Sequence, residues 1–367
     1  MAFNMKFSCS HFVAAPFALR KGRYHYSGNL NDSERSEFMK LNVVLAGNYP
    51  AGTFEKLAMA LPQEKFLLAI ADTVEKFEVV TDADILILRT FGAAEDVMAR
   101  NKNLKMIMRW GAGYDSVDIR EAGARGILVT NTPGANAYAV SELAVLLMLA
   151  VGRRLFCHND SLKAGQWSKN TFLDKSFSLN NKLVGIIGGG NIGRQVAQKV
   201  QVFGATVQYY DPFRLPESTE QVLNMAYVSL EQLIATSDIV TLHVPLTEEN
   251  RHMIGKEQID AMKTDAILIN VARGGLVDDD ALLAAVQSGH LLGAGIDCVE
   301  HEPLPMGHPM LENPNIIITP HIGGGTCDLA TAIIPMLVED IISFAEKKTV
   351  AHVVNGLFLH NWMSSNV

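Results

Sequence analysis

Three stretches of this 367-residue chain carry side chains suited to holding an anion and moving a proton. Arg273 lies in Asn270-Val271-Ala272-Arg273-Gly274-Gly275. Glu302 lies in Asp297-Cys298-Val299-Glu300-His301-Glu302-Pro303. His321 lies in Thr319-Pro320-His321-Ile322-Gly323-Gly324. Each stretch follows a short apolar run that reads as a β-strand. An arginine fork matches a carboxylate and polarises a neighbouring carbonyl. A histidine gives or takes a proton near neutral pH, and an adjacent glutamate favours its charged form. Together they suit reduction of a carbonyl beside a carboxylate, provided a hydride donor binds nearby. Singly, each has a plainer reading: a helix-capping arginine, a solvated loop glutamate, a satisfied loop histidine. Their placement after successive strands favours the joint reading, because ligands of open parallel sheets bind beyond the carboxyl ends of strands.

The hydride donor has its own signature. Gly188, Gly190 and Gly193 form GxGxxG between the apolar run Val184–Ile187 and a helix expected from Arg194 to Phe203. The first glycine permits the tight turn, the second admits a pyrophosphate, and the third packs helix on strand. The N–H groups of Asn191 and Ile192 then point at phosphate, aided by the helix dipole. Asp211 ends the next strand, eighteen residues after Gly193. A carboxylate there accepts from the adenosine ribose and repels a 2′-phosphate, so the expected cofactor is NAD. Arg214 lies close enough to keep NADP open. A second glycine loop, Gly111-Ala112-Gly113, lacks the third glycine and is expected to offer backbone N–H groups to a small carboxylate.

These residues need strands to carry them. A first set is expected at Val43–Ala46, Phe66–Ile70, Ile85–Leu88, Lys105–Met108 and Ile127–Thr130. A second is expected at Val184–Ile187, Thr206–Tyr210, Ile239–His243, Ala266–Asn270, Gly293–Ile296 and Ile316–Thr319. Short all-apolar strands alternating with helices at 193–203, 229–236, 256–262 and 279–288 predict parallel sheets covered on both faces. Asp278-Asp279-Asp280 reads as a helix start rather than a metal site, with Asp278 as cap. The fold class is therefore α/β, with two doubly wound parallel-sheet domains, one of Rossmann type, and a cleft between them. A hinge is placed at Pro133-Gly134 and a second crossing after His321. The expected substrate domain is 39–134 plus 325–355, the expected NAD-binding domain 135–324, with a tail at 356–367.

Composition closes off other classes. Lys and Arg number 31 against 39 Asp and Glu, a net charge of −8, and no basic run offers a nucleic-acid site. The apolar stretch Leu143–Val151, bounded by Glu142 and Arg153-Arg154, falls short of the ~18 residues of a membrane span. Cys9, Cys157, Cys298 and Cys327 make no CxxC pair, which suits reduced thiols in the cytoplasm. Cys298 reads as a small buried core residue. Residues 1–38 carry Lys6, Arg20, Lys21 and Arg23 and no acid before Asp32. That composition suits a transit peptide, but a poorly ordered extension or an over-called start is the favoured reading.

The ordered motifs resemble the D-isomer-specific 2-hydroxyacid dehydrogenases, a family that includes phosphoglycerate, D-lactate and hydroxypyruvate-reducing enzymes. The resemblance runs from about Leu41 to Asn355. It includes Gly111–Asp115, Pro133–Asn136, the 188–193 loop, Leu242–Thr247, Asn270–Asp278, Asp297–Pro303 and Thr319–Gly325. It implies that Arg273 grips the substrate, that His321 is the proton donor, and that Glu302 holds His321. Asp297 would touch the nicotinamide end. His243, Pro245, Val271, Ala272, Gly323 and Gly324 would line the cofactor cleft, and Arg89 with Gly111, Ala112 and Gly113 would face substrate. The resemblance further implies a homodimer, no metal, and turnover of a small D-2-hydroxy acid and its 2-keto acid. Glu302 argues against the formate dehydrogenases of this superfamily, which carry glutamine there. The alternative is an NAD(H)-sensing, corepressor-like binding protein.

Overall fold

In a computed structural model, residues 40–167 and 169–359 are described. The expectations for residues 1–38 and for most of the C-terminal tail lie outside them. Two parallel sheets form where the apolar runs predict them. The first contains β1 (Leu41–Ala46), β2 (Phe66–Ala71), β3 (Ile85–Leu88), β4 (Met106–Arg109) and β5 (Leu128–Thr130), in the order β2-β1-β3-β4-β5. The second contains β6 (Leu183–Ile187), β7 (Thr206–Tyr210), β8 (Ala226–Tyr227), β9 (Ile239–Leu242), β10 (Ile267–Asn270), β11 (Gly293–Ile296) and β12 (Ile316–Ile318). Its order is β12-β11-β10-β9-β6-β7-β8.

Each order reverses direction once, between β1 and β3 and between β6 and β9. Such switch points open a crevice beyond the strand ends. The glycine loop Gly188–Gly193 leaves β6 at the second crevice, and Gly47–Tyr49 leaves β1 at the first.

All residues of β3, β9, β10 and β11 are buried, as befits central strands covered on both faces. The helix Asn191–Val202 turns Gly193, Val196, Ala197 and Val200 inward, the i, i+3, i+4, i+7 spacing of one helical face. Asp278 caps its helix by accepting from the Ala281 N–H at 3.0 Å. The helix Ala137–Gly152 is apolar almost throughout and joins the core of the second sheet through Val140, Ala144, Leu147, Met148 and Val151. The helix Leu329–Ala345 instead joins Val43, Leu45, Ile85 and Ile87 of the first sheet, through Leu329, Ile333, Leu337 and Ile341. Each such buried Leu or Ile contributes about 1.5–3 kcal/mol. The chain's last described segment is tied to β5: Asn355 accepts from Val129 N–H and donates to the Ile127 carbonyl, at 2.9 and 2.8 Å.

Two details depart from the sequence reading. β8, Ala226–Tyr227, is only two residues long and lies in the apolar run Met225–Val228, where the sequence reading placed no strand. β4 extends to Arg109, one residue past the expected end, which puts that arginine at the mouth of the first sheet. Among the described residues no helix is long and apolar enough to cross a membrane.

Candidate active site

His321 and Glu302 meet where the loops after β12 and β11 converge. The His321 Nδ1 lies 2.9 Å from Glu302 Oε2 and 3.2 Å from Oε1. The histidine backbone adopts φ +53°, a left-handed conformation uncommon for a side chain of this size and one that needs outside support. Asp297 supplies it. Its Oδ1 accepts from the Thr319 hydroxyl at 2.6 Å and the Ile322 N–H at 2.8 Å, its Oδ2 accepts from the Gly323 N–H at 2.8 Å, and its carbonyl accepts from His321 N–H at 2.9 Å. Asp297 is 2% exposed, so its visible work is to fix the loop that carries His321.

Cys298 is buried beneath the pair, as its sequence context suggested. Its Sγ, a Glu302 oxygen and a His321 nitrogen lie within 4.8 Å of one another, a spacing that three metal ligands also adopt. The donor set is otherwise engaged. The thiol donates to the Ala272 carbonyl at 3.4 Å, burial pushes its pKa up and keeps it protonated, and Glu302 faces His321. This is an acid–base pair over a buried thiol.

Arg273 joins the same cluster through Ala272, whose carbonyl also accepts from Arg273 Nη1 at 2.7 Å. Asn270 braces the turn: its Oδ1 accepts from Ala272 N–H at 3.1 Å and its Nδ2 donates to the Arg273 carbonyl at 2.8 Å. The Nε and Nη2 of Arg273 both donate to Asp115 Oδ2, at 2.9 and 2.8 Å. A guanidinium has five N–H groups. Three are thus used, and Nη1 and Nη2 keep one hydrogen each, donors of the kind that bind a carboxylate.

The glycine loop from the first sheet comes very close to this fork. A Cβ on Gly113 would stand 1.9 Å from Arg273 Nη2, so only glycine admits the guanidinium. Gly111 N–H already donates to the Thr132 hydroxyl at 2.9 Å, so the loop has fewer open donors than its sequence suggested; those of Ala112 and Gly113 remain. Arg109 donates to the carbonyls of Gly113 and Phe91, at 3.1 and 3.2 Å. Burial lowers its pKa, opposed by Tyr49 and Asp115. Arg89 donates to the Asn48 carbonyl.

The dinucleotide loop is shaped for a pyrophosphate. Gly188 has φ +108°, and a Cβ there would stand 2.7 Å from the His243 backbone. At Gly193 a Cβ would meet the Gly188 carbonyl at 2.0 Å, while Gly190 faces open space. The helix Asn191–Val202 starts directly behind, with the first-turn N–H groups of Asn191 and Ile192 at its positive end. Asp211 Oδ2 accepts from Gly189 N–H at 2.8 Å, which ties the acid to this loop. Burial pushes His243 down to about 3, so its ring is neutral; Nε2 lies 3.0 Å from the Thr241 hydroxyl and Nδ1 has no protein partner. Val271 and Ala272 are buried beside it in the loop after β10, and Pro245 is exposed after β9. Gly323 lies against Asp297, and Gly324 against Asn136, whose buried Oδ1 also lacks a partner. A cradle that glycine alone can form, with orphaned polar atoms beside it, fits a dinucleotide.

Sequence reasoning missed Asp115, Arg109 and Thr319 as members of this site. Asp115 closes the second glycine loop and Arg109 precedes it, so both were in view. Asp115 meets Arg273 158 residues away, which no local pattern encodes, while Arg109 bonds Gly113 only four residues on, so that contact was within local reach.

The residues 145–323 match the family model described as D-isomer specific 2-hydroxyacid dehydrogenase, NAD binding domain. A glyoxylate reductase of Thermococcus litoralis is 37% identical over 76% of this chain and 85% of its own length. A hydroxypyruvate reductase of Thermotoga maritima is 41% identical over 73% and 86%. Among solved structures, the TT0316 protein of Thermus thermophilus superposes with a TM-score of 0.76 at 33% identity, covering 86% of this chain and all of that one (100%). With the glycine cradle, the acid after β7 and the Arg–Glu–His cluster in one cleft, the chain belongs to the D-isomer-specific 2-hydroxyacid dehydrogenase family.

Proposed function

We propose that this protein interconverts a small D-2-hydroxy acid and its 2-keto acid, with glyoxylate or hydroxypyruvate as the substrate class on the reduction side. The observation that carries this reading is Arg273, with one N–H on each of Nη1 and Nη2 not yet donated, in the cluster that holds the His321–Glu302 pair. NADH, held by the Gly188–Gly193 loop, would supply the hydride for C2. Arg273 takes the substrate carboxylate and draws electron density to the carbonyl oxygen. His321 gives that oxygen its proton, and Glu302 keeps the imidazole oriented for the transfer. In the oxidative direction His321 takes the hydroxyl proton. Gly111–Gly113 and Arg89 line the substrate side, and Asp297, Gly323 and Gly324 lie at the nicotinamide end. The two relatives named above, a glyoxylate and a hydroxypyruvate reductase, support a small substrate. The sensing alternative draws no support from them.

The reading extends to lobes and assembly. The substrate lobe is 39–134 plus 325–355 and the cofactor lobe 135–324. Gly134 packs on Asn191 and Gly324 on Asn136, so the proposed crossings both adjoin the cofactor loop region. A cytoplasmic homodimer is part of the proposal. Leu155, Phe156, Leu162, Trp167 and Leu173 are each at least 49% exposed, an apolar surface that suits a second copy.

The test is NADH oxidation at 340 nm with glyoxylate, hydroxypyruvate, pyruvate and 3-phosphohydroxypyruvate. Turnover highest on the first two supports the reading. NADH binding without turnover on any of them overturns it.

A further inference from the structure

Arg214 is three residues beyond Asp211, and an arginine in this loop is what accommodates the 2′-phosphate of NADP. The loop borders the cofactor cradle: Phe213 N–H donates to Asp211 Oδ1 at 2.8 Å, and a Cβ on Gly189 would meet Leu215 at 3.2 Å. Yet the guanidinium is committed elsewhere. Its Nε and Nη2 donate to Glu220 Oε1 and Oε2, both at 2.8 Å, and its Cζ lies 4.9 Å over the Tyr227 ring. Glu220 is itself fixed. Its side chain is 9% exposed, and the buried Tyr209 hydroxyl donates to Oε1 at 2.6 Å while accepting from Leu215 N–H at 2.9 Å. Arg214 and then Tyr209 hold Glu220 down to about 2, so the clamp stays charged across the ordinary pH range.

We propose that Glu220 determines cofactor preference: it holds Arg214 against the helix Glu217–Leu223, and Asp211 is left to repel a 2′-phosphate unopposed. Glu220 acts through Arg214 and is a positioning residue, while Tyr209 anchors it from β7. The proposal rests on the NAD reading of the glycine cradle. Glu217 is the other carboxylate that acts on Arg214 and remains when Glu220 is changed.

The experiment is direct titration of NADH and NADPH by nucleotide fluorescence on the full chain, without substrate. In Glu220→Gln, the NADPH Kd should fall on the order of tenfold, the scale of a charge-assisted hydrogen bond. The NADH Kd should stay within about twofold. Adding Arg214→Ala should abolish the gain. Arg214→Ala alone should leave both Kd values as in the parent, which tests the idea even if Glu220→Gln folds poorly. An unchanged NADPH Kd in folded Glu220→Gln, a gain that survives Arg214→Ala, or weaker NADPH binding in Arg214→Ala alone overturns it. A parent chain that binds neither nucleotide would sink the cradle reading as well.

Discussion

Asp115 and Arg273 are 158 residues apart in sequence, and one carboxylate oxygen accepts from two nitrogens of the same guanidinium. The pair links the loop after β4 of the first sheet to the loop after β10 of the second. Asp115 thereby fixes one edge of Arg273 and aims the other. We expect Asp115→Ala to raise the keto-acid KM roughly 10- to 100-fold, the range of a lost charge-assisted hydrogen bond. NADH affinity should not change. Asp115→Asn keeps an acceptor in place and should recover most of the loss. Steady-state kinetics with fluorescence titration of NADH provides the check, and an unaltered KM in Asp115→Ala removes the aiming role.

Gly113 offers a second test of the same geometry from the opposite side. The methyl of Gly113→Ala would stand 1.9 Å from Arg273 Nη2, so the guanidinium must shift from its place on Asp115. The expected outcome is a kcat/KM lowered by about tenfold or more, the penalty of a displaced charged hydrogen bond. The melting temperature should move little, because the strain falls on a partly exposed side chain. A variant with parental kcat/KM would show that Arg273 has room the structure does not provide.

Much of this site was legible in the sequence because strand ends announce themselves. Apolar runs placed β6, β10, β11 and β12, and the residues just past them are the ones that converge. Gly188, Gly193 and Asp211 were legible for a related reason: the cofactor turn needs those residue types at that spacing. The partners were not legible. Nothing near Asp115 indicates that Arg273 lies opposite, and nothing near Arg214 shows that Glu220 and Tyr209 hold it. The hold of Asp297 on the His321 loop, through Thr319, Ile322 and Gly323, was not legible either, and it stands beside the expected place of Asp297 at the nicotinamide end. Arg89 was a loose correspondence, and the bond it makes to the Asn48 carbonyl was not legible either.

His321→Ala should lower kcat by roughly 10²–10⁴, the usual range for a positioned general acid, with NADH binding intact. Glu302→Ala removes the group that holds Nδ1, 2.9 Å from Glu302 Oε2, and should lower kcat by about tenfold, the worth of one charge-assisted hydrogen bond. Glu302→Gln keeps an acceptor for Nδ1 and should recover most of that loss. Steady-state kinetics of the two variants is the check, and a parental kcat in Glu302→Ala removes the orienting role.

The exposed apolar side chains of residues 155–173 should be buried in the assembled protein if the homodimer reading holds. Changing Phe156 and Leu162 to glutamate places charge on that surface, where an apolar interface core tolerates it poorly. Light scattering after size exclusion should show a dimer in the parent and a monomer in the double variant. A parent that is monomeric at tens of micromolar contradicts the assembly proposal directly.

Asp297 separates two readings of one carboxylate. Its oxygens accept three hydrogen bonds from Thr319, Ile322 and Gly323. In Asp297→Asn the amide group must face either the Gly323 N–H or the Thr319 and Ile322 donors, so at least one donor loses its acceptor. Such a loss costs about 1–3 kcal/mol. For the unfolding of the cofactor lobe alone that corresponds to a melting temperature lower by about 2–4 °C per kcal/mol. If holding the loop is the carboxylate's main work, kcat at saturating NADH should also fall, because His321 is no longer fixed. If its main work is contact with the nicotinamide end, NADH affinity should weaken while kcat at saturation and the melting temperature stay near those of the parent. The contacts on Oδ1 and Oδ2 favour the first outcome.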